Sequence, residues 1–128
     1  MSLDVSPELL AKAEHGEVGD AEFVDCIRTS LPYAWDLISG LVARYQVDGG
    51  DFADNQIPPP DEQARGQLLR LLASDAMRDT VERHFGMKLA FQNCHRVAVF
   101  PRGHTEAYRR FITPREQILS QSPELRDC

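Results

Sequence analysis

Histidine and cysteine cluster late in the chain: His84, Cys94, His95 and His104. These residue types bind transition metals, but their spacing contains neither C-x-x-C nor H-x-x-x-H. Cys94 and His95 are adjacent at a strand-like tip, where side chains tend to point apart. No metal site and no cofactor are therefore expected. Asp48, Asp51, Asp54 and Asn55 form an acidic loop. Its spacing of three and its missing bidentate Glu depart from a calcium loop, so a solvated loop is the better reading. The stretch Arg28-Thr29-Ser30-Leu31-Pro32-Tyr33-Ala34-Trp35 gathers a guanidinium, hydroxyls, a phenol and the single Trp at a helix junction. Junctions expose backbone N–H groups that suit polar ligands. A cap with buried aromatics explains the same residues.

A polar cleft forms if the hairpin tip converges on the helix junctions. Its expected substrate-binding residues are Arg28, Tyr33, Ser74 and Asn93, and its expected catalytic residues are His95 and Asp75. Arg28 would grip a carboxylate through its planar fork, and Tyr33 would supply a wall and a hydroxyl. In such a cleft His95 would be the residue that moves a proton. Asp75 has a second explanation as a helix-start residue.

The elements that must position these residues are mostly helices. Ser6-Pro7-Glu8 is a helix start, and Gly16 a stop. Asp20 is the expected cap of a second helix with Phe23, Val24, Ile27 and Leu31 on one face. A third helix, capped near Ser30, carries Ala34, Leu37, Ile38, Leu41, Val42 and Tyr45 at spacings of three and four, and is the expected core helix. Residues 48–60 read as a loop containing Pro58-Pro59-Pro60. Asp61 caps a helix that either breaks at Ser74-Asp75 or runs on to Phe85; both versions are open.

After Gly86 the apolar period changes from helical to alternating. Segments 87–92 and 96–100 then form a hairpin. A three-residue loop, Asn93-Cys94-His95, pairs Gln92 with Arg96, Phe91 with Val97 and Leu89 with Val99, which keeps apolar side chains on shared faces. His95 falls near a position that favours left-handed backbone. Tyr108, Phe111 and Ile112 indicate a short helix, Thr113-Pro114-Arg115-Glu116 a capping box, and Ser122-Pro123-Glu124 a last turn. The expected fold is mainly α: one compact helical domain over 1–128 with one antiparallel hairpin at about 87–100.

With 128 residues and 42% hydrophobic residues the chain can bury a core without staples. No apolar run approaches the roughly 20 residues of a membrane span, and no signal-peptide layout opens the chain. A cytoplasmic location and three free thiols, Cys26, Cys94 and Cys128, are the resulting expectations. The net charge of −6 is uneven. Residues 1–63 hold 3 Lys/Arg against 13 Asp/Glu, net −10; residues 64–128 hold 11 against 7, net +4. That contrast favours a homodimer. Helix–break–helix–hairpin from Asp61 to Phe100 outlines a winged helix. Its second helix, however, sets Arg78 and Arg83 among Asp75, Asp79 and Glu82, so nucleic acid is not the expected partner.

Several stretches together resemble a family of small actinobacterial proteins: 28–35, Phe52-Ala-Asp-Asn55, 58–60, Arg65-Gly-Gln-Leu-Leu69, Ala73-Ser-Asp-Ala76 and 89–100. A looser likeness is to the lysinoalanine-forming proteins of cinnamycin-type lanthipeptide pathways. That likeness implies a helical homodimer acting on a modified peptide. The reaction would be aza-Michael addition of a lysine amine to dehydroalanine, without metal or nucleotide. The alternative is a non-catalytic interaction or regulatory module that binds a protein partner.

Overall fold

Local chemistry starts most helices where the sequence places its signals. The computed structural model describes residues 3–121. Along it run α1 (Pro7–Glu14), α2 (Asp20–Ser30), α3 (Pro32–Asp48), β1 (Ala53–Asp54), α4 (Glu62–Ala73), α5 (Asp75–Phe85), β2 (Met87–Gln92), β3 (Arg96–Pro101), α6 (Glu106–Phe111) and α7 (Pro114–Leu119). Ser6, Asp61, Ser74, Thr105 and Thr113 each accept a backbone N–H three residues on, which satisfies an otherwise orphaned donor. Ser74 takes an extended backbone, so the stretch from Asp61 to Phe85 is two helices. Gly86 stops α5 in left-handed backbone at φ 66°, which a residue with a Cβ resists.

Gly19, not Asp20, caps α2. The start of α3 also departs from expectation. Its cap is Leu31, which makes no side-chain bond. Ser30 instead accepts the Asp4 N–H at 2.8 Å and ties down the N-terminal segment. The α3 terminus is capped from another helix: Gln67 Oε1 of α4 accepts Tyr33 N–H at 2.8 Å and Ala34 N–H at 3.3 Å. Gln67 is buried, so its removal leaves two N–H groups without water to replace it. Gln67→Ala should cost about 1–3 kcal/mol, read as a lower urea midpoint at unchanged slope. A midpoint equal to the parent's would show that the cap carries no weight.

The domain is mainly α, as expected, but its sheet has a third strand. The order is β1-β3-β2, all antiparallel. Ala53 pairs with Val99 and Asp54 with Ala98, inside the segment that reads as loop. Two residues are too few to show alternation, so no periodic signal marks them. Asn55 then continues the pairing with its side chain: Oδ1 accepts Val97 N–H at 2.7 Å, and its own N–H donates to the Val97 carbonyl.

β3 is thereby central and covered on both faces. Val97 and Val99 join the main core with Ile27, Leu31, Ile38, Leu68, Leu71 and Val81. Ala98 and Phe100 face a second cluster with Phe111. The hairpin register matches the one that shared faces demand, Leu89 with Val99 through Gln92 with Arg96. The left-handed residues at its tip are Asn93 (φ 54°) and Cys94 (φ 52°), not His95.

Cys26 is free and buried, whereas Cys94 is disulfide-bonded, which corrects the expectation of three free thiols. The turn expected at Ser122-Pro123-Glu124 lies outside the described residues. Among the described residues, no helix is long and apolar enough to cross a membrane. Nor do any three His, Cys, Asp or Glu side chains among them stand together to hold a metal ion.

Candidate functional site

The six residues expected to form one cleft occupy three corners of the fold. Arg28 lies exposed near the end of α2, hydrogen-bonded to Asp25 one turn back, with its guanidinium 5.8 Å from the Trp35 ring. Tyr33 sits in the first turn of α3. Burial first, and then the nearby Asp61 carboxylate, push its phenol above the ordinary range, so the hydroxyl stays protonated and can donate. Ser74 caps α5. The Asp75 side chain is 87% exposed and bonded to Arg78 at 2.7 Å, a helix-start role.

Asn93 and His95 stand at the hairpin tip. The Asn93 amide bonds the Ser120 carbonyl and the Gln117 side chain, which docks α7 onto the tip. His95 is 3% exposed. The cavity it lines, about 310 Å³, shares the wall Asn55-Gln56-Pro58 with a larger trough of about 550 Å³ lined by Tyr33, Leu37 and Gly40. Tyr33 and His95 thus flank one loop, on opposite sides. Ser74 and Asp75 belong to the α4–α5 junction.

Polar residues that sequence reasoning passed over organise the hairpin end. Arg96 Nε donates to Asp54 Oδ2 at 2.8 Å, and its Nη1 donates to both Gln92 Oε1 and Ser120 Oγ at 3.0 Å. Its guanidinium also lies 4.8 Å from the Phe111 ring. Gln92 is buried and donates to the Phe111 carbonyl at 2.8 Å. Asn55 Nδ2 donates to the His95 carbonyl at 2.7 Å. Charged or amide side chains in an otherwise apolar pair of strands were the available signal.

A second feature runs along β2. Val97 turns its carbonyl to Asn55, away from β2. Phe91, opposite Val97, therefore turns its N–H and C=O to the outer edge, and so does Leu89 two residues earlier. Glu82 Oε2 takes the Leu89 N–H at 2.8 Å. No strand among the described residues pairs with this edge. Beside it lies a trough of about 440 Å³, bounded by Leu69 and Ala73 on one side and by Tyr108 and Ile112 on the other. Leu69 is 41% exposed and Ile112 55%.

Comparison with protein families finds a match over residues 1–128 to the family described as NucS shadow ORF. The chain belongs to this family. No curated protein and no solved structure matches it. Membership of the NucS shadow ORF family overturns the likeness to the lysinoalanine-forming lanthipeptide proteins. The family's description names a reading frame and NucS, and states no activity.

Proposed function

We propose that this member of the NucS shadow ORF family is a non-catalytic interaction module. It receives an extended, largely apolar peptide segment of a partner protein along the free edge of β2. The observation that carries this reading is the open backbone row beside an apolar trough. The Leu89 carbonyl and both backbone groups of Phe91 face outward, next to the part-exposed Leu69 and Ile112. An edge strand left open is a template for pairing, and an added strand takes its affinity from backbone bonds and its specificity from alternate side-chain pockets.

The charges around the trough favour an uncharged segment. Arg78 is committed to Asp75 and Lys88 to Glu82. Nucleic acid is less well served, because the other arginine of α5, Arg83, is bonded in two places to Asp20. Lysinoalanine formation had no support apart from the family likeness.

Peptides selected from a random-sequence display library should bind the folded protein and slow hydrogen exchange at the Phe91 amide. Leu69→Glu and Ile112→Glu each place a charge in the trough at a part-exposed position. Each should weaken binding by about tenfold or more at an unchanged melting temperature. The reading is wrong if no peptide is enriched, or if bound peptides leave the Phe91 amide unprotected.

A further inference from the structure

Gly40 stands in the middle of α3, where its loose backbone weakens a helix relative to alanine. The chain's own packing does not demand it. Its φ is not positive, and a Cβ built there meets no packed neighbour within 4 Å. What the missing side chain does is leave room on the floor of the trough between α3 and the loop before α4. This trough lies apart from the β2 edge.

The trough is largely apolar and open to solvent. Leu37 and Leu41 flank Gly40 along α3, and Ile57, 80% exposed, stands on the opposite wall. Asp36 and Gly40 are exposed, and Tyr33 and Leu37 are half-buried, so a ligand meets all four from outside. The volume, about 550 Å³, falls inside the roughly 300–1,000 Å³ of small-molecule sites.

Its polar groups divide into two ends. Tyr33 and Asp36 are neighbours one turn apart on α3. Among the described residues, neither the Tyr33 hydroxyl nor the Asp36 carboxylate has a hydrogen bond or ion pair. The Asp61 carboxylate also acts on the Tyr33 phenol, which makes this end more negative. At the other end Arg44 donates to the Asp54 carbonyl oxygen. Arg44 is eight residues from Asp36, about 12 Å along the helix. That exceeds the screening length of about 8 Å at physiological ionic strength, so the Asp36 end stays negative. The Asn55 amide is committed to the His95 and Ile57 carbonyls and to Val97 N–H. The exposed Gln56 amide is neutral and favours neither charge.

We propose that the α3 trough binds a small hydrophobic amine. Its ammonium group lies between the Asp36 carboxylate and the face of the Tyr33 ring. Its apolar body, about the size of one ring, fills the space left by Gly40 beside Leu37 and Leu41. Anions are disfavoured by charge. Every lining residue falls within 33–60, which holds Asp36, Asp48 and Asp51 against Arg44 once Asp54 is set aside as the partner of Arg96. A cation without an apolar body gains little, because exposed ion pairs are weak.

The test is nuclear magnetic resonance of the whole protein, titrated with phenethylamine. Phenethyl alcohol, hydrocinnamate and methylammonium are the controls. The amine should move the Gly40 amide and Leu37 methyl resonances saturably, with a Kd of about 1 mM or tighter. The alcohol and the acid should bind about fivefold more weakly or worse, and methylammonium should leave both resonances in place. Asp36→Asn should weaken amine binding by about fivefold and leave that of the alcohol unchanged. Gly40→Leu fills the floor and should weaken amine binding by about tenfold or more. Gly40→Ala should melt about 4 °C higher than the parent and bind the amine about threefold more weakly. The proposal is overturned if the amine produces no saturable shift, if the alcohol or the acid binds as tightly, or if Gly40→Leu binds like the parent. It is also overturned if dilution of the free protein moves the same resonances, since a second copy would then be the occupant. Should Gly40→Leu fail to fold, Gly40→Ala decides: binding equal to the parent's overturns the proposal.

Discussion

Replacing Phe100 by alanine should destabilise the protein by about 3–5 kcal/mol, the cost of emptying a buried aromatic site. Phe100 has no solvent exposure and is the largest fully buried side chain among the described residues. Its ring centroid lies 5.1 Å from Phe52, 5.5 Å from Tyr108 and 5.3 Å from Phe111. These residues come from the loop before β1 and from α6, so one ring joins both to the central strand. The ring cluster cannot collapse into the gap without moving α6, so the cavity should persist. Chemical denaturation should show a much lower midpoint, and amide exchange should speed up first in α6. Phe100→Leu keeps most of the volume and should cost about 1.5 kcal/mol or less. A loss below about 1 kcal/mol for Phe100→Ala would mean that the second cluster contributes little to holding the fold.

Arg96→Ala should cost about 3 kcal/mol, mainly through what it leaves behind. The Arg96 and Asp54 side chains are 21% and 18% exposed, so water replaces the lost partner poorly. Removing the guanidinium strands the Asp54 carboxylate and one Gln92 acceptor, and uncovers the Phe111 face. Arg96→Lys should not restore the parent's stability, since an ammonium cannot reach a carboxylate, an amide and a hydroxyl from one plane. A double-mutant cycle with Asp54→Ala should return a coupling of about 1–3 kcal/mol; a coupling near zero would rule out the pair as the source. The Asp20–Arg83 pair is a useful contrast. The Arg83 hydrogen bond holds the Asp20 carboxyl below its ordinary range, yet both side chains are more than half exposed. Solvent screening leaves such a pair little weight.

Sequence by itself determined the mainly helical class, most helix starts and the hairpin register. Each rests on physics that acts within a few residues. A hydroxyl or carboxylate reaches the N–H three positions on, as at Ser6, Asp61 and Thr113. The hairpin register follows from side-chain parity across a short loop, because a slip of one residue would turn Phe91 and Val97 to opposite faces. The expected cleft mixed two kinds of inference. His95 and Asn93 adjoin because they are two residues apart, whereas gathering them with Arg28 and Asp75 required a packing arrangement that no local pattern encodes.

Tertiary structure alone decided the rest. β1 exists because β3 offers it a free edge: its two residues have no period of their own, and Asn55 bonds Val97 across 42 positions. The α3 cap comes from Gln67, 34 positions beyond Tyr33, and displaces the local candidate Ser30. His95 becomes buried, and Arg96 a junction between strands and helices, only once α7 and the loop before α4 pack over the hairpin tip. Polar side chains bond whichever backbone group packing brings within reach, and for these residues that group lies tens of positions away, beyond any local signal in the chain.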